Sequence, residues 1–194
     1  MLKVFNEFER NPALLAKFDA VIGCLSASAV FADSQYRTGV MDAGIKPPFR
    51  AKTCGQALTV QLSKGDLVDP LKALEMGQAG DIIVVDGAGR DTDELEQIGW
   101  PIWTRAITPR GTHTMFSQRK EELSINVPIQ CGGVVVNPGD FIVADLMGVV
   151  VIPLARAEKV VALAAEQAER EEKTREWVAQ GKTVEDLLNE FGRI

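Results

Sequence analysis

The stretch NVPIQCGGVVVNPGDFIVADLMGVVVIP, residues 126–153, carries the strongest β-strand signal in the chain. Three apolar runs, at 134–136, 141–143 and 149–152, are separated by the turn sequences NPGD and ADLMG. Short apolar runs interrupted by Gly, Pro and Asp predict strands joined as hairpins or a meander. Asp140 and Asp145 lie at these turns, where we expect their carboxylates to accept local hydrogen bonds.

Upstream of this stretch, helical and strand patterns alternate. Strands are predicted over 56–62, 82–85 and 101–107, with helices over 69–76 and 91–97 between them. Nearer the N-terminus we expect helix over 3–20, which Pro12 either splits or restarts with Asn11 as the cap. Residues 20–25 read as a strand or a buried turn, and 26–39 as a short helix ending at Gly39. The alternation predicts an α/β fold.

Downstream, a long helix is predicted over 155–177 and a short one after its cap, Thr183. We therefore predict a single domain over 1–194, with 155–194 as a helical C-terminal arm. The second half of the long helix is charged nearly all round, while Trp177 and the apolar side chains at 187, 188 and 191 need a surface to cover them. This pattern favours a projecting helix that packs on another subunit over a solvated rod.

Composition restricts the class of protein. The chain has 194 residues, 46% of them hydrophobic, and a net charge of −6. An acidic protein is a poor duplex nucleic-acid binder, because that function needs a basic face. We see neither a signal peptide nor an apolar run near the ~20 residues that span a bilayer, so we predict a cytoplasmic protein without membrane contact.

Cysteine and histidine usage limits the metal chemistry. The three cysteines are far apart and form no CxxC pair, so we expect buried free thiols rather than a zinc site. With one histidine in the chain, a metal would need oxygen ligands, which points to magnesium, manganese or calcium.

The stretch IIVVDGAGRDTDE, residues 82–94, is the candidate site. An apolar strand ends on a glycine turn, and Arg90 and Asp91 follow side by side. A surface ion pair or a helix cap is one interpretation of the two charges. The other is a site for a small anionic substrate and a divalent metal.

These two stretches, together with GVMDAGIKPPF, GQALTV and KALEMGQAGDIIVVDG, resemble the RraA-like family over nearly the whole chain. The resemblance implies a single-domain α/β sandwich of the swivelling-domain type and a homotrimer, or two stacked trimers as a homohexamer. The family includes 4-hydroxy-4-methyl-2-oxoglutarate aldolases that also decarboxylate oxaloacetate, and the regulator of ribonuclease E activity. Some members carry an older demethylmenaquinone methyltransferase name, but DGAGRD lacks the glycine spacing of a nucleotide-binding loop.

The resemblance also implies roles for individual residues. Arg90 matches the arginine that binds the pyruvate carboxylate, and Asp91 the aspartate that holds the metal, which the ribonuclease regulators lack. Apart from the resemblance, Gly87 and Gly89 let the substrate approach the backbone. Asp86 is placed on the metal side, where it orients a bound water, with a turn-forming role as the alternative. Glu171 resembles the position from which a neighbouring subunit supplies a base, although a solvated helix residue is the alternative.

The function implied is that of a class II, metal-dependent pyruvate aldolase and oxaloacetate decarboxylase with Mg²⁺ or Mn²⁺ as cofactor and a small 2-oxo acid as substrate. Both reactions pass through pyruvate enolate, which a cation and a Lewis acid stabilise. A non-catalytic regulator that binds a ribonuclease is the alternative, and Asp91 favours the enzyme.

One departure weakens the enzyme reading. The family has two similar strand ends in tandem, VVDGGG and DGAxRD, whereas here one strand end runs directly into RDTDELEQ. A strand–helix–strand passage is collapsed at Gly89–Arg90, and its turn would have supplied backbone N–H groups to the substrate. Three explanations remain open: a shortened paralogue without aldolase activity, an artificial deletion, or residues missing from the sequence as printed, which the intact flanks favour.

Overall fold

A mixed sheet with helices on one face organises the computed structural model, which describes residues 7–62, 68–86, 96–107 and 124–192, without the side chains of 68–70. The strands are β1 (Thr53–Gln61), β2 (Asp81–Asp86), β3 (Ile129–Cys131), β4 (Val134–Val136), β5 (Phe141–Asp145) and β6 (Gly148–Ile152). The helices are α1 (Pro12–Ile22), α2 (Ala27–Ser34), α3 (Val68–Met76), α4 (Leu154–Ala179) and α5 (Val184–Phe191). The predicted α/β class is confirmed.

The main sheet has four strands in the order β2-β1-β5-β6. β1 and β2 are parallel, from the pair Gln56–Asp81 to the pair Gln61–Asp86. Parallel neighbours need a crossover connection, and α3 lies between them in the chain. The pairs β1–β5 and β5–β6 are antiparallel, so a two-residue turn can join the latter. Within the described part of the chain, β2 therefore lies at an edge of this sheet, with β1 as its neighbour.

Alternation along β5 divides the core between the two faces of the sheet. Phe141 and Val143 pack against the helices, whereas Ile142 and Ala144 point to the opposite face. On the helical side, the ring of Phe18 stacks between Phe31 and Phe141, with centroid distances of 5.0 and 4.3 Å. Helices α1, α2 and α4 cover this face through the following buried side chains: Leu14, Phe18, Val21, Val30, Phe31, Ala157, Val160, Val161 and Ala164.

The β3–β4 hairpin covers the opposite face. Ile129 and Val136 of the hairpin pack with Met41 and Ile45 of the loop between α2 and β1, and with Val84 of β2. A smaller cluster lies under α3 and contains Leu58, Val60, Ala73 and Ile125. The carboxyl ends of β1 and β2 therefore emerge between α3 and the hairpin.

Local signals predicted the helix starts well. Asn11 caps α1 by accepting a hydrogen bond from the Leu14 amide at 2.9 Å, and Pro12 begins the helix. Thr183 and Asp186 form a reciprocal capping box at the start of α5. Both caps were expected, because they depend on residues only a few positions apart.

One strand prediction was wrong, and one open alternative was decided. Residues 20–22 end α1 and 23–25 form a turn, so of the two alternatives for 20–25 the turn holds in part and the strand does not. Residues 101–107 contribute an isolated bridge between Thr104 and Lys46 instead of a strand. Both segments are apolar, and apolarity alone does not distinguish a strand from a packed loop. The short strand β3 was not predicted.

The C-terminal segment packs partly on itself. The first turns of α4 lie in the core, and the Trp177 ring near its end contacts Phe191 of α5 at a centroid distance of 5.5 Å. Leu187 is only 4% exposed, whereas Leu188 remains exposed. Of the apolar set that we expected another subunit to cover, Leu187 is thus buried within the chain, and Trp177 and Phe191 are partly buried.

The hydropathy of the helices bears on membrane contact. Within the described part of the chain, no individual helix combines the length and apolarity needed to cross a bilayer. α1 and α2 meet that test only when taken together, and they are bent by 118° at their junction. Both contribute side chains to the core under the sheet.

Candidate functional site

The carboxyl ends of the parallel strands β1 and β2 form the candidate site. The Leu62 amide donates to the Asp86 carbonyl at 3.1 Å, and the Gln61 side-chain amide donates to Asp86 Oδ2 at 3.1 Å. Ligands of open α/β sheets bind in the crevice outside such strand ends. Asp86 is therefore held at the expected place, with its second oxygen, Oδ1, free of hydrogen bonds from the described residues.

Cys131 and Arg105 lie near the Asp86 carboxylate. Burial raises the pKa of the Cys131 thiol, the Asp86 charge raises it further, and the Arg105 guanidinium lowers it. Arg105 also forms an ion pair with Asp42 at 3.3 Å, in which both side chains are exposed. Arg105 is thus a cation within electrostatic reach of the site, and our sequence reasoning missed it because it fell in a predicted strand.

Four of the predicted site residues lie outside the described residues: Gly87, Gly89, Arg90 and Asp91. Gly87 follows Asp86, the last residue of β2, directly in the chain. Their roles remain predictions from the sequence.

Glu171 lies on the other side of the sheet. It belongs to α4, which packs on the face of Phe141 and Val143. Asp86 is two and four positions from Val84 and Ile82 in β2, so it lies on the same face of the strand as they do. Val84 and Ile82 pack on the face opposite the helices. Within one chain, Glu171 and Asp86 are therefore separated by the sheet.

A groove of about 690 Å³ between the end of α2 and α4 contains Glu171. The Gln167 amide donates to Glu171 Oε1 at 3.1 Å, and Arg175 lies 3.5 Å from Oε2. Arg37, Arg170 and Tyr36 also line this groove. Glu171 thus faces a polar, partly cationic groove.

The segment that enters β3 runs beside β1. Gln61 N donates to the Ser124 carbonyl at 2.9 Å, and Asn126 N donates to the Thr59 carbonyl at 2.8 Å. Thr59 Oγ1 in turn donates to the carbonyl of residue 127 at 2.6 Å. These bonds hold Ser124 and Asn126 next to the last residues of β1, which our sequence reasoning did not predict.

Asp140 and Asp145 have the hydrogen-bonding role that their turns indicated. Asp140 accepts from the amides of Asn137 and Leu154, both at 2.9 Å, and so supports the start of α4. Asp145 accepts from the amide and hydroxyl of Ser28 at 2.9 and 2.6 Å. Both carboxylates are buried. The bonds of Asp140 are to nearby residues, whereas those of Asp145 to Ser28 span 117 positions.

The thiols are not suited to nucleophilic catalysis. All three cysteines are free and half-buried rather than fully buried as expected. Burial raises the pKa of Cys24, Cys54 and Cys131. Since the thiolate is the reactive form, these groups are protonated at neutral pH.

Among the described residues at the candidate site, Asp86 is the one ligand suited to a hydrated magnesium ion. Within the described ranges, no group of three or more His, Cys, Asp or Glu side chains is placed to hold a metal. Magnesium, however, keeps several waters and takes one or two protein carboxylates. Asp86 offers one carboxylate whose Oδ1 accepts no hydrogen bond from a described residue, and Asp91 would be the second.

The sequence profile of the RraA-like family, described as Aldolase/RraA, matches this chain in two segments, residues 18–89 and 83–151. The two matches overlap at residues 83–89, so the end of β2 fits two places in the family. This overlap agrees with two similar strand ends having become one.

A relative from Halalkalibacterium halodurans, provisionally named a 4-hydroxy-4-methyl-2-oxoglutarate aldolase, is 36% identical over 135 positions, covering 55% of this chain and 62% of its own length. The chain therefore spans less than two thirds of that relative. Because 55% of 194 residues is about 107, about 28 of the 135 positions have no residue in this chain. A strand–helix–strand unit has roughly 30 residues, so the number of unmatched positions agrees with the collapse of one such unit.

Two solved structures share the fold. An uncharacterized protein from Pseudomonas syringae is 21% identical with a TM-score of 0.74, covering 97% of this chain and 100% of its own. Streptomyces coelicolor RraAS2, described as an unusual member of the RNase ES inhibitor RraA protein family, is 27% identical with a TM-score of 0.66, covering 86% and 98%. The two family-profile matches together span residues 18–151, most of the chain, and so the chain belongs to the RraA-like family.

Proposed function

We propose that this chain is a divalent-metal-dependent lyase that cleaves 4-hydroxy-4-methyl-2-oxoglutarate-type acids and decarboxylates oxaloacetate. The observation that carries the proposal is the pair Arg90–Asp91 in the sequence DGAGRD, in a chain of this family. The aldolase name of the Halalkalibacterium halodurans relative supports it. Asp86, held at the mouth of the two parallel strands, adds a carboxylate on the metal side.

In the proposed reaction, Arg90 binds the carboxylate beside the keto group, since its planar guanidinium matches a carboxylate in a bidentate pair. Asp91 and Asp86 would hold the ion, which would supply Lewis-acid polarisation of the keto oxygen when bound. A base removes the proton of the 4-hydroxyl group. The bond between carbons 3 and 4 then breaks, its electron pair passes to pyruvate enolate, and the hydroxyl carbon becomes a ketone. In oxaloacetate, loss of CO₂ gives the same enolate. In both reactions, uptake of a proton at the enolate carbon then gives pyruvate.

Pyruvate release from both substrates, with and without Mg²⁺, tests the proposal. We expect metal-dependent turnover above the enzyme-free rate, lost in Asp91→Ala and retained in Asp93→Ala, the matched control from the same acidic run. The mass of the preparation is measured together with activity. No turnover at 21.1 kDa would sink the lyase proposal, and a mass above that value would identify residues missing from the printed sequence.

Glu171 is proposed as the base, supplied by a neighbouring subunit of a homotrimer or homohexamer. The sheet separates Glu171 from Asp86 within one chain, so a shared site requires two copies. Mixing Asp91→Ala with Glu171→Gln tests this directly. Randomly assembled oligomers then contain some interfaces with both wild-type residues, and activity should recover to about one quarter of wild type. No recovery on mixing would remove Glu171 from the site.

A non-catalytic regulator is the second candidate, favoured by the likeness to RraAS2 and by the overlap of the two family matches at 83–89. This function predicts dose-dependent inhibition of a purified ribonuclease E-type enzyme cleaving a fluorescent RNA. Inhibition that survives Asp91→Ala, in a protein without lyase turnover, would establish the regulator.

A further inference from the structure

The groove between the end of α2 and α4 carries charges of both signs. The α4 residues that line it recur at steps of three and four positions from 163 to 175, which places them on one face of the helix. Its volume of about 690 Å³ is in the range of small-molecule sites. Among the described residues, three cations and three anions line it: Arg37, Arg170, Arg175, Asp33, Glu166 and Glu171.

Four of these charges are already paired. Arg37 lies 3.1 Å from Asp33, and Arg175 lies 3.5 Å from Glu171. Glu166 and Arg170 differ, because neither side chain forms an ion pair or hydrogen bond with any described residue. An acid four positions before a basic residue is the favourable order for an ion pair on a helix. The two charges nevertheless stand apart, and each is available to a ligand.

The turn that ends α2 brings backbone strain to the rim of this groove. Tyr36 and Arg37 are consecutive residues with φ of 59° and 60°, a conformation in which helices usually end on glycine. Tyr36 is 85% exposed, so burial does not hold its side chain in place. Strained residues of this kind cluster at ligand-binding sites. Tyr36 and Leu163 thus add apolar surface to a groove that contains two unpaired charges.

We propose that this groove binds a small zwitterion of the α-amino acid class with an apolar side chain. The Arg170 guanidinium pairs with the carboxylate of the ligand, and the Glu166 carboxylate pairs with its ammonium group. Tyr36 and Leu163 contact the apolar side chain. A simple anion would be repelled by Glu166 and a simple cation by Arg170, so a ligand that carries both charges suits the groove best.

This site is separate from the proposed lyase chemistry. α4 packs on the face of the sheet that carries Phe141 and Val143, whereas the β2 residues before Asp86 pack on the opposite face. Binding in the groove therefore does not require turnover, and binding is the quantity that the experiment measures.

Isothermal titration calorimetry with L-phenylalanine and L-leucine tests the proposal. The analogues are 3-phenylpropionate, which lacks the ammonium group of phenylalanine, and 2-phenylethylamine, which lacks its carboxylate. We expect saturable binding of both amino acids. Each analogue should bind at least about tenfold more weakly than L-phenylalanine, because each loses a hydrogen-bonded partner of opposite charge.

Variants of the two unpaired residues should give a crossed pattern. In Arg170→Gln, L-phenylalanine should bind no better than 2-phenylethylamine does. In Glu166→Gln, it should bind no better than 3-phenylpropionate does. Arg156→Gln is the matched control, because Arg156 is an exposed residue of the same helix outside the groove, and this variant should bind all ligands as the wild type does.

Tyr36→Gly separates a binding role from a folding defect. Glycine adopts the left-handed backbone without strain, so Tm should rise by roughly 2–4 °C. L-phenylalanine should bind more weakly, because the ring that contacts its side chain is removed. Weaker binding in a more stable protein cannot result from misfolding. Unchanged affinity would overturn the predicted preference for an apolar side chain.

Three results would overturn the site itself. If neither amino acid binds saturably, Glu166 and Arg170 are ordinary solvated helix residues. If either analogue binds as tightly as L-phenylalanine, the groove recognises one charge and not a zwitterion. If Asp91→Ala abolishes binding, the ligand lies in the active site of the proposed lyase. Absence of lyase turnover with amino-acid binding intact would refute the lyase alone, so the two proposals fail separately.

Discussion

Replacing Asp145 by alanine should destabilise the protein more than any exposed charge change. The carboxylate is 4% exposed at the end of β5 and accepts from the Ser28 amide, the Ser28 hydroxyl and the Met147 amide, at 2.9, 2.6 and 2.8 Å. The N-cap of α2, Ser26, makes no side-chain cap. Asp145 therefore caps this helix from a strand 117 residues away in sequence.

The magnitude follows from which donors lose access to water. Ser28 is buried, whereas Met147 lies exposed in the β5–β6 turn and can bond to solvent. Two donors are thus left unpaired, and each costs about 1–3 kcal/mol. We expect a loss of about 4 kcal/mol in the free energy of unfolding. For a chain of this size, that corresponds to a fall in Tm of roughly 8–16 °C.

Urea denaturation monitored by circular dichroism measures this loss, with Asp33→Ala as the control. Asp33 forms an exposed ion pair with Arg37 at 3.1 Å, and such pairs contribute ~0–1 kcal/mol. Ser28→Ala removes one donor together with its bond and should cost less than Asp145→Ala. A loss below ~1 kcal/mol for Asp145→Ala would show that the buried carboxylate does not stabilise α2, and the reasoning would be refuted.

Three further predictions concern local features. Gly39→Ala should lower the free energy of unfolding, measured by urea denaturation, at least ~2 kcal/mol more than Gly99→Ala does. Both positions have positive φ, but a Cβ at Gly39 would lie 2.2 Å from a β6 carbonyl oxygen, whereas one at Gly99 would meet nothing. Equal losses would contradict this. Hydrogen bonds from Thr183 lower the pKa of Asp186 below its usual range. Its contribution to stability is therefore present above the unfolded pKa and is lost as pH falls through the lowered value. The Tm difference between wild type and Asp186→Ala should therefore shrink on going from pH 7 to pH 3, and a constant difference would disagree. Burial and a hydrogen bond to a carboxylate raise the pKa of Cys54, so iodoacetamide at pH 8 should label it slowly in the folded protein and rapidly in urea; equal rates would exclude a protected thiol.

Part of the candidate site was predictable and part was not. The strand ending at Asp86 was visible as an apolar run before a glycine turn, because burial on both faces leaves that pattern in the sequence. The hydrogen bond from Gln61 to Asp86 was not, since it joins residues 25 positions apart. Asn126 gave no signal either: Asn before a strand is ordinary, and its burial and left-handed backbone depend on how 124–127 packs beside β1.

By itself, the sequence determined what depends on neighbours within a few residues. The caps at Asn11 and Thr183, the turns around Asp140 and Asp145, and the apolar periods of β1, β2, β5 and β6 are all of this kind. The motifs in the sequence also indicated the family. Only the tertiary structure decided the strand order β2-β1-β5-β6 and the opposite faces of the sheet occupied by Asp86 and Glu171. Strand pairing and burial are interactions between distant segments, and a local pattern specifies that a residue is buried without specifying what buries it.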